Sequence, residues 1–178
     1  MPKANVLEEF LTAAVAVRST GAATKETSYY PALGNLLDAI GDSLKPKVRC
    51  ITQLKNLGAG NPDGGFFTAD QFDRKTGEPK QPTAPARGVL EVKAPAESVD
   101  DTKASKQIDK YWDRFKLVLV ANLRDWLLLG ERNGQRVELE RFTLADTDAG
   151  FWELAAHPRK AQHDHGTAFA DFLTRVLR

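Results

Sequence analysis

Three charged side chains have the types and spacing that metal-assisted hydrolysis requires: Asp63, Glu91 and Lys93. Glu91 and Lys93 stand two apart in Gly88-Val89-Leu90-Glu91-Val92-Lys93, which reads as a strand, so both point to the same face. Asp63 sits at the edge of the turn-rich segment Gly58-Ala59-Gly60-Asn61-Pro62-Asp63-Gly64-Gly65, where backbone can approach a ligand closely. Carboxylates are hard oxygen ligands for Mg²⁺, which polarises a phosphate and lowers the pKa of an attacking water. A lysine at the same place orients that water or stabilises charge developing on the phosphate. This combination is what phosphodiester hydrolysis needs. Taken singly, Glu-x-Lys reads more simply as a solvated strand face, and Asp63 as a turn residue.

The elements that must position these residues follow from periodicity. Val6, Phe10, Ala14 and Val17 recur at helical spacing, which predicts an amphipathic helix over 4–18. A second helix begins near Ser28, with Pro31 in its first turn and Leu33, Leu36, Leu37, Ile40 and Leu44 on its apolar face. Residues 48–55 alternate imperfectly and predict a strand, and Phe66-Phe67-Thr68 a short one. Residues 70–87, with Pro79, Pro82 and Pro85, predict a long exposed loop. Pro95 ends the strand that holds Glu91. A helix is expected over 102–114, capped by Asp100 or Asp101. Leu117–Ala121 is continuously apolar, as in a fully buried strand. Asn133-Gly134 between Trp126–Leu129 and Val137–Phe142 is a hairpin signal. Two helices, about 148–156 and 165–177, close the chain. The expected fold class is α/β, a mixed central sheet with helices on both faces.

Taken together, the spacing of Pro62-Asp63 and Glu91-Val92-Lys93 resembles the PD-(D/E)xK nuclease superfamily. Gln107-Ile108-Asp109-Lys110-Tyr111 is similar to the Gln-x-x-x-Tyr motif of its RecB-like branch, with both side chains on one helix face. Lys25-Glu26-Thr27 resembles the place where that family's first helices add a carboxylate. More narrowly, the segments 25–31, 60–63, 88–93 and 120–122 look like the N-terminal nuclease domain of fused type IIG and type ISP restriction–modification enzymes, over nearly the whole chain. One departure is Asn61-Pro62-Asp63-Gly64-Gly65, where relatives often carry an apolar or aromatic residue after the Asp.

The resemblance implies a restriction-endonuclease-like fold and a single nuclease domain over 1–178. It implies Mg²⁺-dependent cleavage of DNA, with Mn²⁺ as a substitute. Asp63 and Glu91 would ligate the metal, with the Val92 carbonyl and Glu26 as further ligands. Lys93 would act on the water or the phosphate, and Gln107 and Tyr111 would orient the metal ligands or the scissile strand. It also implies partners: DNA, a fused or associated adenine methyltransferase and DNA-recognition domain, and a second copy where both strands are cut. The alternative from another class is a catalytically silent module that binds DNA or protein. Clustered carboxylates argue against it, because without a metal they repel phosphate.

Composition bounds these readings. The 178 residues are 42% hydrophobic and 28% charged, as in globular proteins. Lys plus Arg is 25 against 24 for Asp plus Glu, which disfavours a strong autonomous DNA binder. The lone Cys50 excludes an intrachain disulfide and fits a reducing cytoplasm. No apolar stretch approaches a membrane span, and the N-terminus lacks the apolar core of a secretory signal. His163-Asp164-His165, with His157 nearby, is read as a solvated linker between helices, and Trp112, Trp126 and Trp152 as packing residues. Lys103, Lys106, Lys110 and Arg114 stripe the helix that bears Gln107.

Overall fold

The computed structural model describes residues 4–21, 26–80 and 83–178. Lys25 of the 25–27 segment, and Gln81 and Pro82 of the long loop, lie outside the described residues, as do Met1–Lys3. Six strands form one mixed sheet in sequence order: β1 (Val48–Thr52), β2 (Gly64–Thr68), β3 (Val89–Val92), β4 (Val118–Ala121), β5 (Asp125–Arg132) and β6 (Gln135–Thr143). All neighbours are antiparallel except β3 and β4. A parallel pair needs a crossover rather than a tight turn. Helices α3 (Val99–Lys103) and α4 (Lys106–Phe115) provide it and cover one face of the sheet.

The opposite face carries α1 (Val6–Ser19), α2 (Tyr30–Gly41), α5 (Asp148–Ala155) and α6 (Pro158–Leu177). The alternation along β3 and β4 divides the apolar residues between the two sides. Leu90, Val92, Leu119 and Ala121 pack toward α1, α2, α5 and α6, whereas Val89, Val118 and Val120 pack toward Ile108 and Tyr111 of α4. Every residue of β4 is buried, so its apolar run shows no alternation. No helix is long and apolar enough to cross a membrane, among the described residues.

Three expectations are corrected. The single helix over 102–114 is two. Ser105 interrupts it because its side chain accepts from Ile108 N and caps α4. The cap of α3 is Ser98, which accepts from Asp101 N, and not Asp100 or Asp101. The last helix starts at Pro158 rather than 165, so His163, Asp164 and His165 lie within α6 and not in a linker. Proline suits the first helical turn, where its missing N–H leaves no bond unmade.

Gly88 fixes how β3 enters the sheet. Its φ is +88°, and a Cβ there would lie 2.4 Å from the Leu117 carbonyl oxygen. Only glycine combines that backbone with so close a neighbour. The next residue then begins the parallel ladder, with Val89 N donating to Leu117 O at 3.0 Å.

Candidate metal and phosphodiester site

Strand register brings the carboxylates together. β2 and β3 pair antiparallel with Gly64 opposite Leu90 and Gly65 opposite Val89. Continued by one residue, that register sets Asp63 across from Glu91, and directly opposed residues share a face with Cβ atoms roughly 4.5–5.5 Å apart. Glu91 lies on the face covered by α4, and Asp63, just ahead of β2, is reached from the α2 side by Tyr30. Asp63 is held at both oxygens: Val92 N donates to Oδ2 at 2.7 Å, and the Tyr30 hydroxyl donates to Oδ1. The main chain of Asp63 is fixed too, since Gln53 N donates to its carbonyl at 2.7 Å.

Glu91 is 6% exposed. Burial, followed by the adjacent Asp63 charge, pushes its carboxyl up to about 7, against the opposing pull of Lys93. Lys93 follows β3 by one residue and keeps the strand's orientation through Lys93 N and Ala121 O at 2.8 Å. Its Nζ lies 3.1 Å from Glu91 Oε1. Burial alone would lower the Lys93 pKa. The Glu91 charge and hydrogen bond, with smaller help from Asp63 and Glu97, outweigh it and raise the value.

Gln107 and Tyr111 stand one turn apart on α4, and Gln107 Nε2 donates to the Tyr111 hydroxyl. Tyr111 is fully buried. Its phenol is pushed up to about 12, mainly by burial, with the Gln107 bond opposing and the Glu91 and Asp63 charges adding. The glycine-rich turn closes on this pair: a Cβ on Gly60 would sit 3.6 Å from Tyr111 Cε1 and 3.9 Å from Gln107 Nε2. Further contacts hold α4 over the sheet. Trp112 Nε1 donates to Gly130 O at 2.9 Å, and Arg136 pairs with Asp109 at 2.6 Å.

The structure thus gathers Asp63, Glu91, Lys93, Gln107 and Tyr111 around one place. Val92 contributes its N–H to Asp63. Glu26 opens the 3₁₀ turn Glu26–Tyr29, and its charge is felt at Tyr30. Among the described residues no group of three or more His, Cys, Asp or Glu side chains is arranged to hold a metal, so the acidic centre is the Asp63–Glu91 pair. The same holds for His157, His163 and His165.

Tyr30 is the site residue that motif reading missed. It is 6% exposed, and burial, then its bond to Asp63, raises its pKa. The available signal was a tyrosine on the core-facing stripe of α2 with Leu33 and Leu37, where a buried hydroxyl requires a partner.

The donor set fits a hard divalent cation. Asp63 and Glu91 would supply the carboxylate oxygens that Mg²⁺ takes as ligands. An ionised Glu91, buried and next to the Asp63 charge, is penalised on both counts, and a cation between the two carboxylates removes that penalty.

No protein-family model matches the chain, and no curated protein does. Among solved structures it is similar to one described as a cryo-EM structure of a DrdV–DNA complex, with a TM-score of 0.57 and 22% identity. The match covers 86% of this chain but 14% of the other, so the chain spans about a seventh of that protein's length. At this identity the likeness shows a shared fold.

Proposed function

We propose that the chain is a nuclease domain of the PD-(D/E)xK type that hydrolyses DNA phosphodiesters with a divalent metal, Mg²⁺ or Mn²⁺. The observation that carries this reading is the buried Glu91 carboxyl beside the half-buried Asp63, with the Lys93 ammonium 3.1 Å from Glu91. A structural strand face has no physical reason to bury a carboxylate beside a second one. The neighbour of similar fold is itself in a complex with DNA, which supports DNA as the polymer.

Asp63 and Glu91 would hold the cation, with the Val92 carbonyl and Glu26 available to complete its shell. When bound, the cation supplies Lewis acidity toward a phosphate oxygen and a lowered pKa for a bound water. Asp63 enters already oriented by Tyr30 and Val92 N–H. Lys93 holds its proton near neutral pH and presents positive charge where the phosphate becomes more negative. Gln107, exposed and tied to the buried Tyr111 beside the Gly60 turn, forms the wall along which the scissile strand lies. A fused or associated methyltransferase and recognition region, and pairing of two copies for double-strand cuts, belong to the same proposal.

The test is incubation with plasmid DNA and with RNA, each with Mg²⁺, with Mn²⁺ and with chelator. Nicking or linearisation of DNA in the two metals alone is the expected result. No cleavage under any divalent metal favours the silent module.

A further inference from the structure

Beside the Gln107–Tyr111 wall runs a groove of about 770 Å³ between the 56–60 turn and α4, lined by Asn56, Gly58, Ala59, Gly60, Lys110, Asp113 and Arg114. Helical spacing sets Lys110 and Arg114 on the flank of α4 that begins at Gln107. Gly60 borders both the groove and Tyr111, so the groove adjoins the Gln107–Tyr111 end of the candidate site.

The cations on and next to α4 are not equivalent. Lys103 is engaged by Glu138 and Asp100, and Lys116 lies 4.0 Å over the Trp112 ring. Lys110 makes no ion pair or hydrogen bond among the described residues. Arg114 is pinned, with Nε donating to Leu57 O at 3.1 Å, which leaves Nη1 and Nη2 for an outside acceptor. Of the nearby acids, Asp109 is taken by Arg136, leaving Asp113 as the one carboxylate against two cations in the groove. The opposite wall, Gly58-Ala59-Gly60, carries almost no side chain, so a backbone-sized ligand passes close to it.

Resting on the nuclease reading, we propose that this groove carries the phosphate backbone of one strand of a DNA duplex away from the cut, with Lys110 and Arg114 each contacting a phosphate. Such contacts position the strand and carry no sequence information.

The test measures binding of the full chain to DNA duplexes of several sequences and to RNA, at fixed Ca²⁺ across a KCl series. The proteins are the parent, Lys110→Gln, the double variant Lys110→Gln/Arg114→Gln, and Lys47→Gln, an exposed lysine paired with Asp42 elsewhere on the fold. Each lost phosphate contact lowers the slope of log K against log[salt] by about 0.9, equivalent to about eightfold weaker binding at 0.1 M salt. Lys110→Gln is expected to show one such loss and the double variant two, equally across sequences, while Lys47→Gln keeps the parental slope. Lys110 has no partner among the described residues, so its variant carries the test if loss of the Arg114–Leu57 bond unfolds the other. Unchanged slopes with a parent that binds and cuts DNA overturn the groove and leave the nuclease reading standing. A slope change confined to RNA overturns DNA as the occupant. A parent that binds neither polymer and cuts neither overturns both readings.

Discussion

Replacing Glu91 with Gln tests whether the acidic pair is a metal site by its effect on the metal-free fold. Gln keeps the shape of a protonated Glu and removes its ionisation. In the metal-free protein the Glu91 carboxyl stands at about 7 against an ordinary 4.5. At 1.36 kcal/mol per pH unit, that gap corresponds to about 3 kcal/mol of strain once Glu91 is ionised. The folded state binds more protons than the unfolded state between those two values. Parental stability therefore falls as pH rises from about 4.5 to 7, and the full penalty persists above 7. Glu91→Gln escapes it. In chelator at pH 8 the variant should be more stable by about 3 kcal/mol, which for a chain of this size raises Tm by roughly 6–12 °C. At pH 4.5 the two proteins should melt together. Mg²⁺ should then raise the parent's Tm and leave that of the variant nearly unmoved. The assay is a thermal melt across pH, with chelator and with Mg²⁺. A variant that melts at or below the parent in chelator at pH 8 refutes the reasoning, because Glu91 would then be comfortably solvated or paired rather than strained.

Three further outcomes are expected. Lys93→Ala should slow plasmid cleavage on the order of 100- to 1,000-fold while Mg²⁺ titration stays near the parent's, as for a charge used in the transition state; Asp63→Ala should lose both, and equal cleavage by Lys93→Ala would remove lysine from the mechanism. Tyr30→Phe keeps the buried ring but frees Asp63 Oδ1, so calorimetry should show Mg²⁺ affinity down by about 10- to 100-fold, with Tyr29→Phe unchanged as the control. Gly88→Ala forces a left-handed backbone on alanine and a clash with Leu117 O, and should lower stability by about 2 kcal/mol or more in denaturant titration.

The acidic pair and its lysine were legible because strand geometry has a period of two, so Glu91-x-Lys93 shares a face whatever surrounds it. Gln107 and Tyr111 were legible for the matching reason on a helix. The hairpin followed from Asn133-Gly134, whose φ values of 54° and 75° are those that favour this pair in a tight turn. Where periodicity was silent, the reading failed. The first half of α6, Pro158 to His165, is largely polar and exposed and shows no apolar rhythm, so Pro158 was its sole start signal. The break between α3 and α4 turns on one serine cap that the charge stripe conceals. Tyr30 is joined to Asp63 by tertiary folding across 33 positions, and no local pattern encodes such a bond.

The pairing of β2 with β3 has a consequence for how this chain tolerates changes in length. The excursion between Thr68 and Gly88 leaves the sheet and returns to it, and lengthening such a loop even twofold costs only about 0.6 kcal/mol in closure entropy. Insertions there leave the opposition of Asp63 and Glu91 untouched. A single residue inserted or deleted inside Gly64–Thr68 or Val89–Val92 is different in kind, because it turns one carboxylate to the opposite face of the sheet. Descendants of this sequence can therefore drift freely in the size of that arm, while the few residues on either side of it behave as an indivisible reading frame for the site.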